Sequence, residues 1–343
     1  MTSSWQLRSG FGVCLVSVVA CQAPTTSSDQ PEPSEAPLTF TVVGDAAVID
    51  PGDYGADYLL PGAAVVHGGT YHLLPVAFSG DPTDAPPRVL HLTSDDARAW
   101  SGDPSASLLE NFAIELDGIG AVPSSAFVAA DGTWVLYGGG RLPGGSDPIV
   151  WRATAPNADG PWTADREAVL VPDGEGWDGA ITDHPSVLPT EDGYLMGYGG
   201  ASIASPNRNR IGFATSPDGA IWTRLTASLD GADDDQALGP SACGVDARSM
   251  FEPHLLETDD GHLLIFGVML EGERDAMEIH AATSSDPSHW TCAPGVRALA
   301  SDDFPDAPSL HSFVAFEDGG ATLMLVEVLG ETSSELWLVR AVN

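Results

Sequence analysis

The chain contains no lysine. Its 13 basic residues are all arginine and stand against 49 acidic residues, a net charge of −36. The missing lysine excludes Schiff-base chemistry and a phosphate-cradling P-loop. The scarcity of positive charge argues against nucleic acid and anionic lipid as partners, because an acidic surface repels both. Cysteine is scarce too, four in 343 residues with no C-x-x-C pair, which leaves little basis for a cysteine metal site or a redox dithiol. No apolar run is long enough to span a bilayer as a mature helix, and no 3.6-residue periodicity of useful length occurs. What is present is an apolar fraction of 43 %, ample for a core, and an acidic character suited to solubility and a neutral ligand.

The first residues read as export machinery. Arg8 precedes the apolar stretch Phe11 to Ala20, which ends Val18-Val19-Ala20-Cys21. This order of apolar run, small residue and cysteine resembles a bacterial lipoprotein signal, cut before a cysteine that then carries lipid. An ordinary secretory signal with an incidental cysteine is the alternative. The expectation is a signal over 1–20, lipidation at Cys21, a disordered tether over 21–37 rich in Thr, Ser and Pro, and one domain over 38–343. The protein is then a cell-envelope lipoprotein, on the outer membrane or cell surface, touching membrane only through its lipid and otherwise monomeric. Cys243 and Cys292 remain as an even pair in an oxidising compartment, which predicts one disulfide.

Repeats set the fold. Gly69, Gly132, Gly193, Gly261 and Gly319 each follow a short apolar run, at intervals of about 60 residues. Trp100, Trp162, Trp222 and Trp290 follow the first four of these glycines by about 30 residues. Within a repeat, β-branched and aromatic runs alternate with turns such as Asp192-Gly193 and Asp218-Gly219, a hairpin pattern. The reading is all-β: a five-bladed β-propeller with four-stranded antiparallel blades. The fifth repeat reaches the C-terminus one strand short. Leu38 to Val42 alternates apolar and polar without a blade of its own, so it is expected to supply that strand and cover an open edge. A three-stranded last blade is the alternative. The repeated tryptophans are expected to pack between blades.

In a propeller the first strands line the axis and begin at one mouth. Counting eight back from each glycine gives Pro61, Ser124, Pro185, Pro253 and His311, preceded by Leu60, Pro123, His184, Glu252 and Leu310. The mouth should therefore gather His184 with Asp183 beside it, Glu252 and His311. Trp177 and Asp178 lie on the approach to blade three and Asp57 on that to blade one. Arg141, after Gly138-Gly139-Gly140, can reach inward from blade two.

Several segments then resemble a known group, the five-bladed glycoside hydrolases: family 43 arabinanases and β-xylosidases, with related β-fructosidase and mannoside-phosphorylase-like families. Ile211 to Trp222 looks like their blade-ending signature. Asp183-His184-Pro185-Ser186 looks like the blade-three Asp-Pro-Ser element, Phe251-Glu252-Pro253 like the blade-four element carrying the general acid, and His311-Ser312 like the blade-five histidine element. The resemblance implies a glycosidase acting on poly- or oligosaccharide through two carboxyls. Glu252 would be the acid and Asp183 or Asp57 the base or a neighbour tuning the acid. His184, His311, Trp177 and Arg141 would bind sugar. No cofactor is implied beyond a structural Ca2+ allowed at the axis, and no metal ligands are assigned. The sequence departs from the pattern where Leu60 holds the place of the usual blade-one Asp and where His184 displaces Asp183 by one residue. A one-residue shift in a strand turns a side chain to the other face. A propeller that has lost catalysis and binds glycan or a surface partner is the competing reading.

Overall fold

The computed structural model describes residues 38–79, 87–109, 121–141, 148–225, 228–229, 237–271, 277–292, 297–305, 309–330 and 332–342. Cys21 and the segments expected as signal and tether fall outside them. Five antiparallel sheets form the domain. Blade one comprises Tyr58–His67, Thr70–Phe78 and a broken outer edge, Arg88–Val89 and Leu92–Ser94. Blade two runs through Val122–Val128, Trp134–Gly140, Ile149–Ala155 and Thr163–Ala164. Blade three is Ile181–Thr190, Gly193–Ser202, Ser205–Ser216 and Thr223–Leu225. Its third strand begins at Ser205, which Ser202 pairs across a tight hairpin. Blade four is Ala247–Thr258, Gly261–Leu270, Met277–Asp286 and His289–Cys292, with the short parallel strand Ser228–Leu229 added outside. The first strands pack in the order one, two, three, four, five and back to one, which closes the ring.

Blade five is Ser309–Asp318, Ala321–Leu329 and Ser334–Val342, and its fourth strand is Thr39–Val42 from the other end of the chain. The pairing runs from Thr39 with Val342 to Val42 with Val339. It satisfies an edge that would otherwise present unpaired backbone, and Phe40 is buried among Ala298, Phe313 and Trp337 in the same core cluster.

Each outer-strand tryptophan joins its blade to the preceding one. Trp290 stacks on Phe213 of blade three at 4.7 Å, and Trp222 meets Tyr137 of blade two edge-on at 6.1 Å. Trp162 shares a core with Leu74 and Val76 of blade one, and Trp100 one with Phe316 and Leu325 of blade five. Every indole N–H donates to a carbonyl three or four residues back, so the ring is buried without an orphaned donor. Cys243 and Cys292 form a disulfide that ties the start of blade four to its outer strand.

Candidate functional site

All five first strands break register at the same place: Leu60/Ala63, Pro123/Ser125, Asp183/Ser186, Phe251/His254 and Leu310/Ser312. A bulge bends its strand and re-aims one side chain. Blade one turns through Gly62 at φ +66°, where a Cβ would overlap the Leu74 carbonyl. Blades three and four make the turn with His184 at φ +46° and Glu252 at φ +49°. Such a backbone costs a non-glycine residue about 1–3 kcal/mol. Past the bulges the strands are pinned blade to blade. Val187 N–H donates to Ser125 Oγ at 2.9 Å, Leu255 N–H to Ser186 Oγ at 2.8 Å, and His254 Nε2 to the Phe313 carbonyl at 2.9 Å. The bulged residues are therefore held by a braced ring.

Glu252 is the centre of this mouth. Its side chain is 12 % exposed, and Oε2 is buried without a hydrogen-bond partner. Burial raises the carboxyl above its ordinary value of 4.5; His184, His311 and the Ser312 hydroxyl pull the other way, and Glu327 adds to the rise. Burial wins, so the fold favours the protonated acid, the form a general acid needs. His184 Nε2 stands 3.8 Å from Glu252 Oε1, and His184 Nδ1 stands 3.4 Å from Asp183 Oδ2. Asp183 Oδ1 also accepts the His184 backbone N–H at 2.8 Å. Asp183 lies against Gly139 of blade two, where any Cβ would overlap its carboxylate. Of the two side chains His184 is the more exposed, 34 % against 11 % for Asp183. One imidazole ring thus stands between the Asp183 and Glu252 carboxyls.

The structure distributes the other predicted residues more widely. His311 joins the mouth from blade five, its Nδ1 2.8 Å from Glu327 Oε2. Asp57 is exposed on the seam between blades one and five, its N–H on the Phe78 carbonyl and its carbonyl on the Ser334 N–H. Trp177 packs over Gly200 and Gly212 and against Tyr198 at 5.5 Å, a seat that exists because neither glycine carries a Cβ. Its neighbour Asp178, 2 % exposed, is held by Arg224 Nε at 2.7 Å and the Tyr198 hydroxyl at 2.9 Å. Arg141 ends the second strand of blade two on the mouth side. Glu327 was not anticipated. Its signal was a lone acid in the apolar strand ATLMLVEVL, a position that demands a partner. As for the axial Ca2+, among the described residues no three His, Cys, Asp or Glu side chains form a metal cage, and no step below passes through an ion.

No protein-family model and no curated protein matches the sequence. Solved structures do match its fold. A complex of BT0996 with RGII is 14 % identical over 90 % of this protein and 92 % of that one, with a TM-score of 0.63. A structure from the GH130 family of mannoside phosphorylases, which contains glycoside hydrolases that target β-1,2 mannosidic linkages in Candida mannan, is 17 % identical over 90 % and 95 %, at 0.61. An exo-1,5-α-L-arabinanase from a bovine ruminal metagenomic library is 11 % identical over 83 % and 93 %, at 0.56. The five-bladed propeller is the property shared at these identities.

Proposed function

We propose that this chain is an exported glycoside hydrolase, tethered to the cell envelope through lipid on Cys21, that cleaves poly- or oligosaccharide at the axial mouth. The observation that carries the reading is Glu252, a strained carboxyl whose burial raises it above its ordinary value where five strands converge. Structural neighbours named as glycosidases support the substrate class. Glu252 donates its proton to the glycosidic oxygen as the bond from the anomeric carbon to that oxygen breaks. A water attacks the carbon, and its proton passes to Nε2 of His184 as the Nδ1 proton moves to Asp183, the second carboxyl, which stands behind that ring. The low positive charge of the chain favours a neutral sugar over an anionic one.

A second reading, a propeller that binds glycan without cleaving it, is favoured by Leu60-Pro61-Gly62, which brings no carboxylate from blade one. A panel of aryl glycosides and plant-type oligosaccharides separates the two. Turnover by the wild type that is lost in Glu252→Gln supports hydrolysis; binding without turnover supports the receptor.

A further inference from the structure

His184 and His311 flank Glu252 from blades three and five, each with a carboxylate near its Nδ1, at 3.4 Å from Asp183 in the first and 2.8 Å from Glu327 in the second. The His311 side chain is 54 % exposed while Glu327, against its Nδ1, is 1 % exposed. The His184 side chain is 34 % exposed while Asp183, against its Nδ1, is 11 % exposed. In each pair the imidazole is open to the mouth and the carboxylate behind it is buried. A carboxylate only accepts hydrogen bonds, so the Nδ1 beside it carries a proton, and whenever the ring is neutral its Nε2 is an acceptor. The same backing fixes ring orientation wherever an imidazole must present one nitrogen outward. Glu327 has no other evident use. It interrupts an apolar strand, and a buried carboxylate without return is costly.

We propose that Glu327 is a positioning residue that locks His311 as its Nδ1–H tautomer, so that this carboxylate-backed imidazole offers Nε2 to a hydroxyl of a sugar held over Glu252. This rests on the reading of the mouth as a glycan site. Blades one and two add no charge at their bulges, which hold Pro61-Gly62 and Ser124. Sugar hydroxyls are donors, and a backed imidazole supplies a matching acceptor.

The test is multiple-bond 1H–15N correlation on the histidine-labelled full chain, with His311→Asn to assign the ring. In the wild type at neutral pH, Nδ1 of His311 should be protonated and Nε2 bare. Glu327→Leu, which removes the acceptor beside Nδ1, should shift the ring toward the Nε2–H tautomer, and Glu327→Asp should retain the original one. A wild-type His311 in the Nε2–H form, or protonated on both nitrogens, overturns the proposal, and this spectrum decides even if the Leu variant fails to fold. An unchanged tautomer in folded Glu327→Leu overturns it equally. The loss of one neutral hydrogen bond should raise KM, or glycan Kd where no turnover is found, roughly 2–10-fold in Glu327→Leu, with kcat changing less. An unchanged KM removes the sugar-gripping role. The spectra are independent of turnover, so an inactive protein would defeat the hydrolase reading and leave the tautomer result standing.

Discussion

Replacing Glu252 with Gln keeps the shape of the side chain and removes its proton. A general acid contributes about 10²–10⁴-fold, so kcat/KM on an alkyl glycoside, whose leaving group needs that proton, should fall within this range. On a nitrophenyl glycoside, whose leaving group departs as a stable anion, the fall should be much smaller. Stability should move in the opposite direction, with a definite pH dependence. Burial raises the Glu252 carboxyl in the folded state above its ordinary value of 4.5. Below that value both folded and unfolded chains hold the proton, and the group costs nothing. As pH rises above it the unfolded chain ionises first, so stability declines until the folded carboxyl ionises as well. Each tenfold difference between the two ionisation constants is worth about 1.4 kcal/mol. Glutamine carries no such penalty. Thermal unfolding of the two proteins should thus nearly coincide near pH 4 and separate toward neutrality, with Glu252→Gln the more stable. Equal turnover of the alkyl glycoside by both proteins would remove Glu252 from the acid role. A wild type that gains stability over the variant as pH rises would refute the burial argument itself.

Three further substitutions test the frame around the site. His184→Gly relieves the backbone at φ +46° and should stabilise the fold by about 1 kcal/mol in denaturant titration, while turnover is lost. Arg224→Met strands the buried Asp178 carboxylate and should cost about 3–5 kcal/mol, much of it recovered when Asp178→Asn is added. Opening the Cys243–Cys292 bridge, which closes a sequence separation of 49 residues, should cost about 4 kcal/mol, read as a fall in Tm for Cys243→Ser/Cys292→Ser that reductant does not deepen.

The propeller was legible because its signals are local and repeated. A turn glycine and an outer tryptophan mark each blade, and the orphan alternation at Leu38 to Val42 finds the one open edge, where it pairs with Ser334–Val342. Counting back from the glycines landed on the bulge of all five first strands, since those strands keep a common length from bulge to hairpin. What the count could not supply was direction. Whether His184 or Asp183 faces the axis depends on a positive φ that no residue type in Asp-His-Pro-Ser announces. Trp177 carried the signal of a sugar platform, yet its seat is decided by Gly200 and Gly212 on neighbouring strands. Glu327 pairs with His311 across two strands, a contact set by register and invisible to motif spacing.

The bulges also bear on whether this mouth is a working site or a filled axis. Blade one shows the inexpensive way to turn the strand: Gly62, with no Cβ to strain. Blades three and four put His184 and Glu252 in the same turn, at about 1–3 kcal/mol each. Glu252 then buries an oxygen without a partner, and Glu327 places a second acid in an apolar strand. Packing alone repays none of these costs, and hydrophobic residues of similar volume would avoid them. Local rules broken together, at one place, are the mark of a site kept for a ligand rather than for stability. On the proposed hydrolase reading, Leu60 marks a change in how the second proton is handled, with Asp183 behind His184 assigned the part that blade one does not fill.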